Sequence, residues 1–218
     1  NQLRFGLGNY FISDKKMQEL QLKYGLVRDN DSKFLSDKVQ NGLPLSVDLK
    51  GEDGILGYKA KKHSMLIDCD KPGNYRSDLF WEKITNQDLI MSNDKKNRSL
   101  VLSPDAFYIL SSKEYVSVPP NLAAEMIPYD TRVGEFRAHY AGFFDPGFGL
   151  SELNASKTKA VLEVRSHDVP FLIEDGQTIC RLIYEPMAKP PKELYGQGEG
   201  KNNYQAQGLK LSKHFVQI

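Results

Sequence analysis

A mainly β fold with few short helices, of sandwich, barrel or jelly-roll type, is predicted by three features of this sequence. Apolar runs of strand length follow one another from Leu43 onward at spacings of about 8–12 residues. Turn-forming residues separate them: Pro104, Pro119-Pro120, Asp145-Pro146-Gly147 and Asp175-Gly176. Helix start and stop signals gather near the N-terminus, between Ser13 and Gly25.

The elements follow in order. "NQLRF" (1–5) reads as a short strand. Ser13 caps a helix through "DKKMQELQLKYG", with Met17, Leu20 and Leu22 roughly on one face and Gly25 at its end. Residues 26–42, rich in Asp, Ser, Lys and Asn, read as a linker. "LPLSVDLKG", "GILGYKA" and "SMLIDCD" are the first β runs, and "RSDLFWEKI" forms one helical turn carrying Trp81. "SLVLSPDAFYILSSKEYVSVPP" gives two or three strands, broken by Pro104 and a polar "SSKE" turn. After "NLAAEMIPYD" come "EFRAHYAGFF", the Asp-Pro-Gly turn, "KAVLEVRS" and "VPFLIEDGQTICRLIYEPM". The last of these reads as two strands in a hairpin at Asp175-Gly176. The Pro-bounded, Gly-rich end is expected to be irregular. The chain thus divides into a strand and helical linker (1–42), a β domain (43–190) and a tail (191–218).

Bulk properties exclude several classes. The 218 residues are 40% hydrophobic and 26% charged, as in an ordinary soluble globule. A net charge of +1 argues against a nucleic-acid polymer or an anionic membrane as partner. No apolar run reaches the roughly 18–20 residues of a membrane helix, and no signal-peptide core is present. The two cysteines, Cys69 and Cys180, are isolated, and the four histidines show no metal-ligand spacing. The expectation is a cytoplasmic protein without zinc.

Three stretches could carry chemistry. In "KAVLEVRS", alternation puts Val161, Glu163 and Arg165 on one face and Ala160, Leu162 and Val164 on the other. Glu163 is either half of a solvated Glu-Arg pair or a carboxylate in a partly apolar cleft. In the cleft, burial would raise its pKa and suit it to take a proton from water and return it. In "FFDPGFG", Pro146 pre-sets φ and Gly147 supplies a positive φ or a close backbone approach. Phe143, Phe144 and Phe148 read as core, and Asp145 either caps the turn or faces a sugar hydroxyl. "YGQGEGKNNYQAQG" is rich in donors and could fold over a polyphosphate, although no P-loop motif is present. A plain unstructured terminus is the other reading.

Taken together, "AHYAGFFDPGFG", "AVLEVRS", "GQTICRLIYEPM" and "NYQAQGLKLSKHF" resemble the dCTP deaminase family, within the trimeric dUTPase-like group of distorted jelly rolls, or β-clips. The likeness is to the C-terminal module of long, two-module members from alphaproteobacteria. It makes residues 1–42 the end strand of a preceding module plus a connection, and the tail a segment that closes over nucleotide. It implies hydrolytic deamination of dCTP to dUTP and ammonia, for pyrimidine deoxynucleotide synthesis, without zinc. Glu163 would activate the water. The substrate would meet Arg132, Ala141, Asp145, Val161, Leu162, Tyr195, Lys201, Tyr204 and Gln207. Mg²⁺ would be held mainly through the triphosphate, with dTTP as a candidate inhibitor. A homotrimer, or a pseudo-trimer with an upstream module, is implied as well.

The chain also departs from that pattern. Where single-module members carry Arg-Ser-Ser, it has Ile127, Pro128 and Tyr129; an arginine before the Asp-Pro-Gly turn is Phe143. The place of the tail lysine is taken by Asn203, with Lys201 nearby. Two further readings therefore stand beside the deaminase: a non-catalytic nucleotide-binding or oligomerisation module, and a dUTP pyrophosphatase.

Overall fold

The computed structural model describes residues 12–29, 38–51, 53–91, 97–128, 136–138, 142–150, 157–166, 169–197, 205 and 208–216. The expected strand "NQLRF" lies outside them. Helix α1 (Asp14–Tyr24) forms as the signals require. The Ser13 side chain accepts the Lys16 N–H, and Gly25, in the left-handed conformation, closes the last turn onto Gln21 O. Its inward face differs from expectation. Met17 and Gln21 are buried and Leu22 is exposed, because Gln21 fixes the next strand through Val27, bonding both its N–H and its carbonyl.

That strand, β1 (Val27–Arg28), corrects the linker reading of this stretch, since Leu26 and Val27 are fully buried. Next come β2 (Leu43–Ser46), β3 (Gly57–Ala60), β4 (Tyr75–Arg76), β5 (Trp81–Ile84), β6 (Ile90–Met91) and β7 (Arg98–Leu102). Then follow β8 (Phe107–Val116), β9 (Leu122–Pro128), β10 (Phe136–Ala138), β11 (Phe143–Phe144) and β12 (Lys159–Ser166). The last are β13 (Phe171–Glu174), β14 (Thr178–Pro186) and β15 (Phe215–Val216). Trp81 begins β5; the helical turn expected around it is a 3-10 turn just before it, Ser77–Leu79.

The larger sheet runs β10-β12-β8-β3-β5, with β1 also on β8; a second runs β11-β9-β14-β2 and a third β13-β7-β6. Their inner faces share one core, in which Tyr108, Leu110, Leu162 and Val164 meet Leu43, Leu45, Leu182, Tyr184, Leu102 and Ile173. This is the mainly β architecture, with a single α-helix among the described residues, that the sequence predicts. Among the described residues, no helix is long and apolar enough to cross a membrane.

Three local expectations are overturned. "SSKE" is a bulge rather than a turn: Lys159 faces Tyr115 and Val161 faces Ser111, so β8 carries two extra residues there. Ser112 Oγ fills the gap by accepting the Ala160 N–H and donating to Glu114 O. Asp175-Gly176 does turn the chain, but β13 joins β7 while β14 joins β2 and β9, so the two strands enter different sheets. "SMLIDCD" forms no strand, and Leu66 is 94% exposed.

Candidate functional site

The alternation read in "KAVLEVRS" is realised. Ala160, Leu162 and Val164 are buried in the core, while Glu163 and Arg165 face outward with Val161 half-buried. Leu162 therefore cannot offer its side chain to a ligand; only its backbone is available. Glu163 is in register with Ile109 and, beyond it, Tyr58, so all three share the outer face of the large sheet. That face is not bare. Tyr58, Ile109 and Leu211 form a second apolar cluster, against which Trp81, Phe107, Val161, Leu209 and Phe215 pack.

The cover is the C-terminal segment 208–216. It is held by the parallel pairing of β15 with β4, by Gly73 N–H to Lys213 O (2.9 Å), and by a contact of His214 Nε2 with Cys69 O (3.0 Å). Phe215 meets Phe80 and Trp81 at ring-centroid distances of 5.4 and 5.8 Å. Glu163 thus has an open side toward solvent and protein on the other. Burial lifts its carboxyl above the ordinary glutamate range, and the Arg165 guanidinium works in the opposite direction. Arg165 itself lies over the Phe107 ring, 5.0 Å from its centroid. Strand β10 pairs with β12 only at residues 164–166, so the far edge of β12 at 161–163 has no ladder partner among the described residues.

The Asp-Pro-Gly turn lies against the other core. Phe144 and Phe148 are buried, with ring centroids 4.9 Å apart, and Phe148 meets Tyr195 at 5.5 Å. Phe143 corrects its reading as core: at the start of the short edge strand β11 it points outward and is 58% exposed. The turn is fixed by Gly147 N–H to Val118 O, Val118 N–H to Phe148 O and Tyr195 N–H to Pro146 O. Both glycines are required. At Gly147 (φ +99°) a Cβ would sit 2.7 Å from Leu194 Cβ, and at Gly149 (φ +67°) 1.9 Å from Val116 O.

This packing opens a cavity of about 390 Å³, lined by Asp145, Pro146, Met187, Leu194 and Tyr195 among others. Asp145, one of its lining residues, is exposed. The structure therefore brings Asp145 and Tyr195 together, and separately Val161 and Glu163; Glu163 does not line the cavity. Arg132, Ala141, Lys201, Tyr204 and Gln207 lie outside the described residues. The Arg-Ser-Ser counterpart is visible in part: Ile127 and Pro128 belong to β9, in register with Arg181 and Cys180.

Sequence reading missed Gln205. Its amide bonds Gly149 N–H, Gly147 O and Leu150 O, all more than fifty residues away. Nothing in "YQAQG" singles it out from Gln207. It also missed the ion pair of Lys159 with Asp48 (2.8 Å), which is buried at the start of β12.

The fold is mainly β, with the outward-facing carboxylate Glu163 on one sheet face and a built turn beside a separate cavity. The family described as 2'-deoxycytidine 5'-triphosphate deaminase (DCD), C-terminal domain, matches residues 13–215, and the chain belongs to it. Among curated relatives, a "dCTP deaminase, dUMP-forming" of Methanobrevibacter smithii is 29% identical over 199 residues, covering 90% of each chain. One of the same name from Methanosphaera stadtmanae is 24% identical over 174 residues, 78% of this chain and 79% of its own. Among solved structures, 2'-deoxycytidine 5'-triphosphate deaminase from Agrobacterium tumefaciens superposes with a TM-score of 0.67 at 43% identity. That match covers 84% of this chain and 50% of the Agrobacterium chain, so the present chain spans about half of that neighbour's length.

Proposed function

We propose that this chain provides Glu163 to the hydrolytic deamination of dCTP. The observation that carries the reading is the place of Glu163, a strand carboxylate on the outer sheet face beside the Tyr58–Ile109–Leu211 cluster, with no hydrogen-bond donor on it among the described residues; partial burial there acts to raise its pKa. A carboxylate of that kind takes a proton from water as the oxygen attacks C4 of the base. The same carboxyl then returns the proton to the amino group as the C4–N bond breaks. The balance is dCTP plus water giving dUTP plus ammonia. Main-chain groups of β12 at 161–163, which have no ladder partner among the described residues, would meet the pyrimidine, and Asp145 with Tyr195 suits the sugar and phosphates.

Mg²⁺ fits as an ion carried by the triphosphate. The oxygen donors that the cavity offers, Asp145 and Glu193, are hard carboxylates able to meet it directly or through its water. Because Glu163 lies outside the cavity, completion of the site by a neighbouring copy or an upstream module, as in a trimer or pseudo-trimer, belongs to the same proposal.

Two observations favour narrower variants. The relatives named as dUMP-forming raise a second hydrolysis, between the α- and β-phosphates, for which Asp145 is the described carboxylate. Ile127 and Pro128 in the β9 ladder, where Arg-Ser-Ser is expected, favour a module that binds nucleotide while another supplies the missing groups. Chromatography of products from dCTP, Mg²⁺ and this chain separates all three. The expected products are dUTP and ammonia in equal amounts. Appearance of dUMP with pyrophosphate establishes the second hydrolysis. A folded chain that binds dCTP and releases nothing is the binding module, and its Glu163 is then idle without a partner.

A further inference from the structure

Gln205 is held in a way that the deamination chemistry leaves unexplained. Both ends of its amide enter the backbone of the Asp-Pro-Gly turn. Oε1 accepts the Gly149 N–H (3.0 Å), and Nε2 donates to Leu150 O (2.7 Å) and to Gly147 O (3.3 Å). Three backbone groups of one turn thus use the acceptor and both donors of one side chain, an arrangement that only a neutral amide of this length can satisfy. The same turn is gripped on its other sides by Val118 and by Tyr195 N–H on Pro146 O. What this clamps is the wall of the cavity, since Asp145 and Pro146, which open the turn, and Tyr195, bonded to Pro146 O, all line it.

We propose that Gln205 is a positioning residue for the nucleotide: its latch onto 147–150 holds Asp145 and Tyr195 in the geometry that meets sugar and phosphates. The inference rests on reading this cavity as the nucleotide's.

The test uses the 218-residue chain with Gln205→Ala and Gln205→Glu, and two readouts. Hydrogen exchange over 145–150 reports the latch, and titration with dCTP and Mg²⁺ reports the wall. In Gln205→Ala, exchange at 145–150 is expected to speed up at least tenfold and dCTP to bind roughly tenfold more weakly, while exchange in β8 and β14 stays as in the wild type. Gln205→Glu keeps the acceptor for Gly149 N–H but sets a carboxylate against two carbonyl oxygens. Its dCTP affinity is expected to be poor at neutral pH and to recover, relative to the wild type, as acidification restores a donor.

Unchanged exchange at 145–150 in Gln205→Ala overturns the latch even where the wild type binds dCTP. Faster exchange with wild-type dCTP affinity overturns the positioning role. A wild type that binds no dCTP, with exchange responding as expected, overturns the nucleotide reading of the cavity and the positioning role with it, leaving Gln205 a brace of the turn.

Discussion

Glu163 is a residue whose surroundings push it two ways: burial favours the neutral acid, and Arg165 favours the carboxylate. As a base it must be ionised, so the acid limb of the pH-rate profile should inflect above 4.5, the ordinary value. Arg165→Ala removes the opposing charge and should move that limb to still higher pH; a shift to lower pH, or none, would contradict the assignment. Because Glu163 keeps a side open to solvent and accepts no hydrogen bond from the described residues, its replacement should alter the melting temperature little. This much was legible in the sequence, because a strand's two-residue period separates faces without knowledge of partners. The position of Phe143 was not. Its neighbours suggested core, but only the edge placement of β11 shows that it points to water.

At the scale of elements, the start of β12 is anchored by polar groups that local pattern cannot reveal. Lys159 pairs with Asp48, 111 residues away, and both side chains are almost fully buried, at 5% and 7% exposure. Burial acts to raise the Asp48 pKa. Hydrogen bonds from Lys159 and from the N–H groups of Lys50 and Gly51 outweigh it and hold the carboxyl below the usual range. A depressed carboxylate contributes stability above its unfolded pKa and loses it as pH falls through the folded one, so this contribution should fade progressively as pH drops below 3.8. Asp48→Asn, which removes the carboxylate facing the buried Lys159 ammonium, should cost about 3 kcal/mol by urea unfolding at pH 7.

Glu114, on the bulge, is the reverse case. Burial raises its pKa despite hydrogen bonds from Ser46, so ionisation above pH 4.5 costs stability. Glu114→Gln should therefore be more stable than the wild type at pH 7 and no different below pH 4. The polar run "SSKE" looked like a turn because its partners, Ser46, Asp175 and Ala160, are distant in sequence. The Asp175-Gly176 turn was legible for the converse reason: its chemistry is local, although the sheets that its two strands join are not.

In the whole molecule, the large sheet is covered on its inner face by the common core and on part of its outer face by the C-terminal segment. The sequence showed the fold class and the helix caps. The tail's actual place depended on β4 and on the aromatic cluster of Trp81, Phe107 and Phe215. Phe215→Ala should lower stability by about 1–3 kcal/mol through loss of two aromatic contacts. By letting water onto the outer face, it should also move the acid limb of activity toward lower pH, opposite to Arg165→Ala. Thermal melts and pH-rate profiles of the two variants check both effects.

The most direct test of the account compares ammonia release from dCTP by the wild type and by Glu163→Gln, with dCTP binding measured on each. The account predicts a Glu163→Gln chain that is folded, binds dCTP as the wild type does, and deaminates it about 10²–10⁴-fold more slowly. A Glu163→Gln chain that keeps near-normal turnover would show that the proton is moved by another group, and would remove the central claim.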